Sequence, residues 1–170
     1  SSQRFIHTLV TLGYLIKGPY TKKYELSPKL LDFSYRFLIS NEMVQRAAPY
    51  VRQLGEETEE VTNLMVMDNT DIICAMRIAS RHMLAPNVMV GTRFPAYCTA
   101  PGLAMLAAMP FDEAKATLLR SNLVSYTPHT IKDLDLILAR LVAISDVGFA
   151  RAEGELYMGD ISTAAAIVNG

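Results

Sequence analysis

At 170 residues, 51% hydrophobic and 19% charged, the chain is sized for one domain or one domain and a fragment, and its composition excludes a disordered polymer. No apolar run approaches a membrane span and no signal peptide opens it, so no membrane partner is expected. The net charge of −1 hides an asymmetry. Through Arg52, eight basic residues stand against three acidic ones, a net of +5, and the remainder carries −6. A basic end on an acidic body points to a nucleic-acid contact at that end, with an ordinary solvated surface as the alternative. Cys74 and Cys98 fit no metal spacing, so buried free thiols in a reduced, cytoplasmic protein are expected, and neither metal nor cofactor is implied.

Taken in order, Ser1 to Leu12 reads as a helix with Phe5, Leu9 and Leu12 as its core stripe, stopped by Gly13. Tyr14 to Lys17 and Tyr24 to Leu26 can pair as strands, with Lys22 and Lys23 at the tip between them. A helix followed by a small basic hairpin is the second half of a winged helix-turn-helix. Ser27 and Pro28 then start a broadly apolar helix reaching about Ile39. Asn41 can cap the next helix, which buries Val44, Ala47, Ala48, Val51 and Leu54 and carries Pro49 inside, where a kink or break is expected. Glu56, Glu57, Glu59 and Glu60 read as its solvated end rather than a metal site.

From Val61 the period becomes that of strands: 61–67, 72–78 and 84–90, with Asp68-Asn69-Thr70-Asp71 turning between the first two. Gly91 to Pro95 reads as a turn. Thr99 sits at a helix N-cap and Pro101 in the first helical turn. From Gly102 to Met109 that helix is small and apolar all round, so it should be buried. A buried helix whose N-terminus is fed by a Gly/Pro loop is a candidate anion site, with Phe94 and Tyr97 as an aromatic wall and the Thr99 hydroxyl beside it. Further on, Asp112 caps a helix to about Arg120, and 121–129 is a loop. Thr130 with Asp133 starts a strong helix ended by Gly148. Two strands, 149–153 and 161–168, precede an Asn169-Gly170 turn signal.

The order of these residues resembles the IclR family of bacterial transcription regulators. Gly91, Phe94-Pro95, Thr99-Ala100, Gly102 and Leu106-Ala107 are similar to the family's G-x-x-L-P-x-x-x-(S/T)-(A/G)-x-G-K-x-x-L-A stretch, with Leu103 replacing the usual base. Gly148, Phe149, Glu153, Glu155, Gly159, Ser162 and Ala164 are similar to G-Y-x-x-(D/E)-x-E-x-x-x-G-(L/V)-x-(S/C)-x-A. The R-F-x-x-T-L opening and V-G-T-R-x-P-A-Y look like the branch controlling aromatic-acid and ketoadipate catabolism.

The resemblance implies an α+β (α/β) fold. Residues 1–27 would be a partial winged helix and 28–40 a linker helix. Residues 41–170 would be a GAF-like sensor domain, incomplete at its C-terminus, with a mostly antiparallel sheet and flanking helices. It implies double-stranded operator DNA, a small organic-acid effector and a homo-oligomer, dimer or tetramer, as partners. Phe94, Ala100, Pro101, Asp160 and Ser162 would face the effector, joined by the neighbouring Tyr97, Cys98 and Thr99. Asp160, usually apolar in relatives, would repel a carboxylate or favour a ligand with a donor group. Ala152 stands where relatives can carry an acid. Ser2, Gln3, Arg4 and His7 would face the DNA major groove, and Lys22 and Lys23 the phosphates.

No enzyme constellation is complete. His7, His82 and His129 lack zinc-ligand spacing, and G-x-S-x-G, P-loop and G-x-G-x-x-G motifs are missing from the sequence. An enzyme using Cys98 as nucleophile is the alternative, and a sensor that never touches DNA is a third reading. The plain reading of Cys98 is a small lining or core residue.

Overall fold

The structure is a computed structural model that describes residues 2–80 and 88–168. The chain divides into two compact units, Ser1–Gln53 and Leu54–Gly170.

In the first unit, α1 (Ser2–Thr11) is followed by the antiparallel pair β1 (Leu15–Lys17) and β2 (Tyr24–Leu26), with Leu15 opposite Leu26. Gly13, at φ +77°, ends α1. Its N–H donates to Val10 and that of Tyr14 to Leu9, the double bond of a Schellman cap. Lys29 Nζ donates to Leu12 O at 2.9 Å and lies 5.0 Å from the Tyr14 ring centroid, so its charge sits at the negative end of α1. Ser27 Oγ accepts from Lys29 N, opening a short 3₁₀ turn that leads into α2 (Leu31–Ser40).

The α1 stripe differs from expectation. Phe5, Leu9 and Leu12 are exposed, and Ile6 and Val10 are the partly covered pair. Both sets satisfy helical spacing, and the partly covered face is the one carrying Ile6 and Val10. α2 likewise buries no residue.

α3 (Glu42–Thr58) opens on Asn41, whose Oδ1 accepts from Val44 N at 3.0 Å, and it runs unbroken through Pro49. Val44, Ala47, Val51 and Gly55 are its buried positions; Leu54 is exposed and Ala48 half-buried. Gly55 is there because a Cβ would come 2.9 Å from Ile78 Cγ2.

In the second unit, β3 (Thr62–Asp68) and β4 (Asp71–Ile78) form a hairpin over Asn69-Thr70, with Asn69 at φ 59° and a bulge between Leu64 and Met65. The third strand is β5 (Arg93–Pro95), antiparallel to β4 with Ile72 opposite Phe94. The expected 84–90 strand falls largely outside the described residues, and 88–90 are not in a strand. What reads as a turn up to Pro95 is therefore a turn at Gly91 and then an edge strand, the place where a sheet tolerates proline.

A 3₁₀ turn, Ala96–Cys98, leads into α4 (Ala100–Ala107), where Ala100, Gly102, Leu103, Ala104 and Leu106 are buried, as an all-apolar helix requires. α5 (Phe111–Arg120) has Pro110 rather than Asp112 at its N-cap, so Asp112 acts only as a first-turn charge. α6 (Leu134–Val147) is capped by Asp133 alone and ended by Gly148 at φ 82°. β6 (Ala150–Glu153) pairs antiparallel with β7 (Ile161–Ala164), which is shorter than expected.

The core joins Ile72 of β4, Tyr97, Cys98, Leu103 and Leu106, Leu118 of α5, Ile137 and Leu141 of α6, and Ala150 of β6. Gly102 marks its tightest point, where a Cβ would lie 2.2 Å from Ala96 O. The result is an α+β unit with an antiparallel three-stranded sheet and a separate ribbon.

Candidate functional site

In the first unit, α1 exposes Ser2, Gln3, Arg4 and His7, and the β1–β2 loop exposes Lys22 and Lys23. That loop is short and braced: Gly18 N donates to Lys23 O, and Lys23 N to Thr21 Oγ1. The six residues thus lie on two neighbouring elements of one unit, with polar ends in solvent.

In the second unit, the residues from Phe94 to Pro101 form one continuous stretch across β5, the 3₁₀ turn and the start of α4. Phe94 is half-buried, its ring edge-on to Tyr157 at 6.5 Å. Tyr97 is buried, and its hydroxyl donates to Val124 O and accepts from Val124 N at 3.0 Å. Burial, with the neighbouring Cys98 thiol adding to it, drives its ionisation well above the usual phenol range.

Cys98 is 1% exposed, and burial pushes its thiol up to about 12, so it is neutral near pH 7 and a poor nucleophile. Ala100 is fully buried. Thr99 holds the N-cap position but not the role: its Oγ1 donates to Pro95 O at 3.0 Å and makes a longer contact with Ala96 O. It pins the loop rather than the helix. The first helical bond of α4 runs from Leu103 N to Thr99 O, so Ala100 and Gly102 carry the first-turn amides and Pro101 has none.

The ribbon supplies the rest. Ala152 and Ser162 are opposite one another; Ala152 is buried and Ser162 half-buried. Asp160 is exposed; its backbone closes the turn, N to Tyr157 O and O from Gly154 N. Its side chain is therefore open to solvent.

The acid that is buried is Glu155, 5% exposed. Arg140 Nη1 of α6 holds its Oε1 at 2.7 Å, and the other Arg140 nitrogen donates to Arg151 O. Thr130 Oγ1 donates to Glu155 O at 2.6 Å, and Thr127 Oγ1 to Gly154 O at 2.6 Å. Thr130, expected to start α6, is instead engaged here and by the amides of Tyr126 and Thr127. The sequence does carry a signal for this pair, because Arg140 is the only base in the apolar helix 134–147 and needs a partner.

Two clefts open in this unit. One, of about 260 Å³, is lined by Thr70, Asp71, Tyr97, Arg120, Asn122 and Tyr126 among others. The second, of about 230 Å³, is apolar and lies where Leu106, Met109, Phe111 and Leu141 meet. Of the stretch 94–101, Pro95 and Tyr97 line the first. Among the described residues no cluster could hold a metal ion, and no helix is long and apolar enough to cross a membrane.

Residues 36–170 match the family described as bacterial transcriptional regulator IclR C-terminal. The chain is 31% identical over 158 residues to the Pca regulon regulatory protein of Pseudomonas putida, covering 92% of this chain and 54% of that one. It is 30% identical over 152 residues to the HTH-type transcriptional regulator KdgR of Escherichia coli, covering 89% and 58%. It therefore spans little more than half the length of these relatives, which bear the names of regulators rather than enzymes. Among solved structures, a candidate transcriptional regulator from Rhodococcus sp. RHA1 superposes with a TM-score of 0.80 at 32% identity, covering 98% of this chain and 65% of that one. An IclR homologue from Microbacterium hydrocarbonoxydans, solved with 4-hydroxybenzoate, shares the fold at 22% identity with a TM-score of 0.75, covering 98% and 68%.

Proposed function

The chain belongs to the IclR family of bacterial transcriptional regulators, and on that premise we propose that it is the larger part of a ligand-responsive regulator: residues 1–27 touch operator DNA, and residues 41–170 bind a small organic acid. The observation that carries the reading is the family match over 36–170, together with the exposed Arg4, Lys22 and Lys23 ahead of it. Ahead of the sensor, residues 1–40 carry six basic side chains against two acidic ones, a net of +4 that suits a phosphate backbone, and Arg4 and His7 suit base edges. We propose residues 1–27 as part of a winged helix, 28–40 as a linker and 41–170 as the sensor. The regulator would act as a homo-oligomer in the cytoplasm.

In the sensor, the acid would sit at the first turn of α4, taking the Ala100 and Gly102 amides, with Phe94 as apolar wall and Ser162 as a hydroxyl partner. Thr99, Tyr97, Cys98 and Pro101 would shape that wall. The Thr99 and Tyr97 hydroxyls already have acceptors, so they have little left for a ligand. The IclR homologue solved with 4-hydroxybenzoate makes an aromatic acid the first candidate. The neutral, buried Cys98 thiol argues against the enzyme alternative.

The test is salt-dependent DNA binding by the full-length protein with Lys22 and Lys23 both changed to Ala. Each lost phosphate contact lowers the slope of log K against log salt by about 0.9, so the pair should lower it by about 2. An unchanged slope would remove the loop from the DNA interface.

A further inference from the structure

Among the described residues, one buried side-chain oxygen or nitrogen lacks a hydrogen-bond partner, and it is Glu155 Oε2. Its sister oxygen is held by Arg140 at 2.7 Å. The carboxylate cannot turn away to find another donor. Thr130 and Thr127 fix the backbone at Glu155 and Gly154, and Arg140 is itself tied to the carbonyl of Arg151 on β6. A buried carboxylate oxygen with no donor is costly, and a rigid one stays costly until a donor arrives. Glu155 follows β6 directly, on the segment leading to β7, the ribbon that carries Ser162. Both strands of that ribbon pack against α4.

We propose that Glu155 Oε2 accepts a hydrogen bond from a hydroxyl of the effector, which makes Glu155 a specificity-determining residue of the sensor. The inference rests on the effector reading above and adds the second half of the ligand. The acid group goes to the first turn of α4 and the hydroxyl to Glu155. Arg140 offsets the negative charge of Glu155, so the carboxylate at one end of the ligand is not repelled by the acid at the other. This is the role that sequence assigns to Asp160, moved to an acid that is buried. A ligand without the hydroxyl leaves Oε2 bare, and sites built to pair a substrate hydroxyl discriminate strongly against its deoxy analogue.

Calorimetry on the full-length protein with benzoate, 3-hydroxybenzoate and 4-hydroxybenzoate tests this, since the three differ only in the hydroxyl. At least one hydroxy acid should bind tenfold or more tightly than benzoate. In Glu155→Gln, checked for folding by its melting curve, Arg140 keeps the amide oxygen and the NH2 takes the place of Oε2, so the free acceptor is lost and that ratio should fall to within threefold. The ratio is the readout, because loss of the negative charge shifts all three acids together. Equal affinities in wild type would mean that a resident water already satisfies Oε2, and would overturn the proposal while leaving the effector reading intact. A ratio unchanged in Glu155→Gln would overturn it too. Heat from none of the three acids would overturn the effector reading for aromatic acids, and the proposal with it. If that variant does not fold, Glu155→Asp, which keeps the charge and draws the oxygens back by one methylene, takes its place, and the same fall in the ratio is expected.

Discussion

Cys98 shows how burial alone sets a residue's chemistry. Nothing about a cysteine between tyrosine and threonine distinguishes a nucleophile from a core thiol; the 1% exposure does. The consequence is measurable. The free thiol ionises at 9.0 and the folded one at about 12, so the folded chain keeps a proton that the unfolded chain gives up. Below pH 9 both states hold it and nothing is lost. Above pH 9 the unfolded state binds fewer protons, so stability falls, by about 1.4 kcal/mol per pH unit at most, until the folded pKa is reached. Tyr97, raised in the same sense, acts in the same direction above its ordinary value of 10.0. Urea unfolding at pH 8 and pH 10 should show Cys98→Ala losing about 1 kcal/mol less than wild type over that interval. Equal losses would place the thiol in contact with water. The same reasoning separates Asp160 from Glu155. Sequence shows three acids on or beside the ribbon, Glu153, Glu155 and Asp160, and only packing shows which is covered.

At the scale of elements, sequence was informative wherever one residue carries the signal. Gly13 and Gly148 adopt positive φ and end their helices, Asn41 caps α3, and Asn69 turns the β3–β4 hairpin. It was ambiguous wherever two assignments satisfy the same local rule. Phe5-Leu9-Leu12 and Ile6-Val10 both have helical spacing, and the choice depends on what packs there. Leu54 and Gly55 compete for one position on α3, and the close approach of Ile78 admits only the glycine. β5 is three residues ending in proline, too short for any alternation to show, and it exists because β4 offers an edge. Thr130 and Asp133 together read as the start of α6, and the structure gives that part to Asp133 alone. Asp133 Oδ1 accepts from Asp135 N at 2.9 Å and Leu136 N at 3.0 Å, while Thr130 works elsewhere. Asp133→Ala should therefore cost about 1 kcal/mol in urea unfolding, the usual loss for a removed N-cap. Thr130→Ala should cost at least as much, because it frees the buried carbonyl of Glu155 and the amides of Tyr126 and Thr127. A neutral Asp133→Ala would mean that the packed apolar face of α6 alone fixes where it begins.

At the scale of the whole molecule, the two units differ in what holds them. In residues 1–53 the buried side chains are Val44, Ala47 and Val51, all on α3; α1, β1, β2 and α2 bury none. Those four elements rely on backbone bonds, the Gly13 cap, Lys29 at the α1 C-terminus and the Tyr14–Phe33 ring contact, 5.2 Å between centroids. Surface contacts of this kind contribute a few tenths to about one kcal/mol each. Residues 54–170 instead share one core from β4 to β6. Apolar burial is the dominant favourable term in folding, so the two units should open at different free energies. Helices α1 and α2 expose large apolar side chains, among them Phe5, Leu31, Phe33 and Tyr35, that a partner surface would cover. Hydrogen exchange read by mass spectrometry on the 170-residue chain at low concentration should show peptides from 2–40 fully exchanged within minutes. Peptides covering α4 and α6 should stay protected for hours. On raising the concentration, protection of 2–40 should rise if a second copy covers those side chains. Equal protection of both regions at all concentrations would mean that the first unit is held by more than the contacts visible within it.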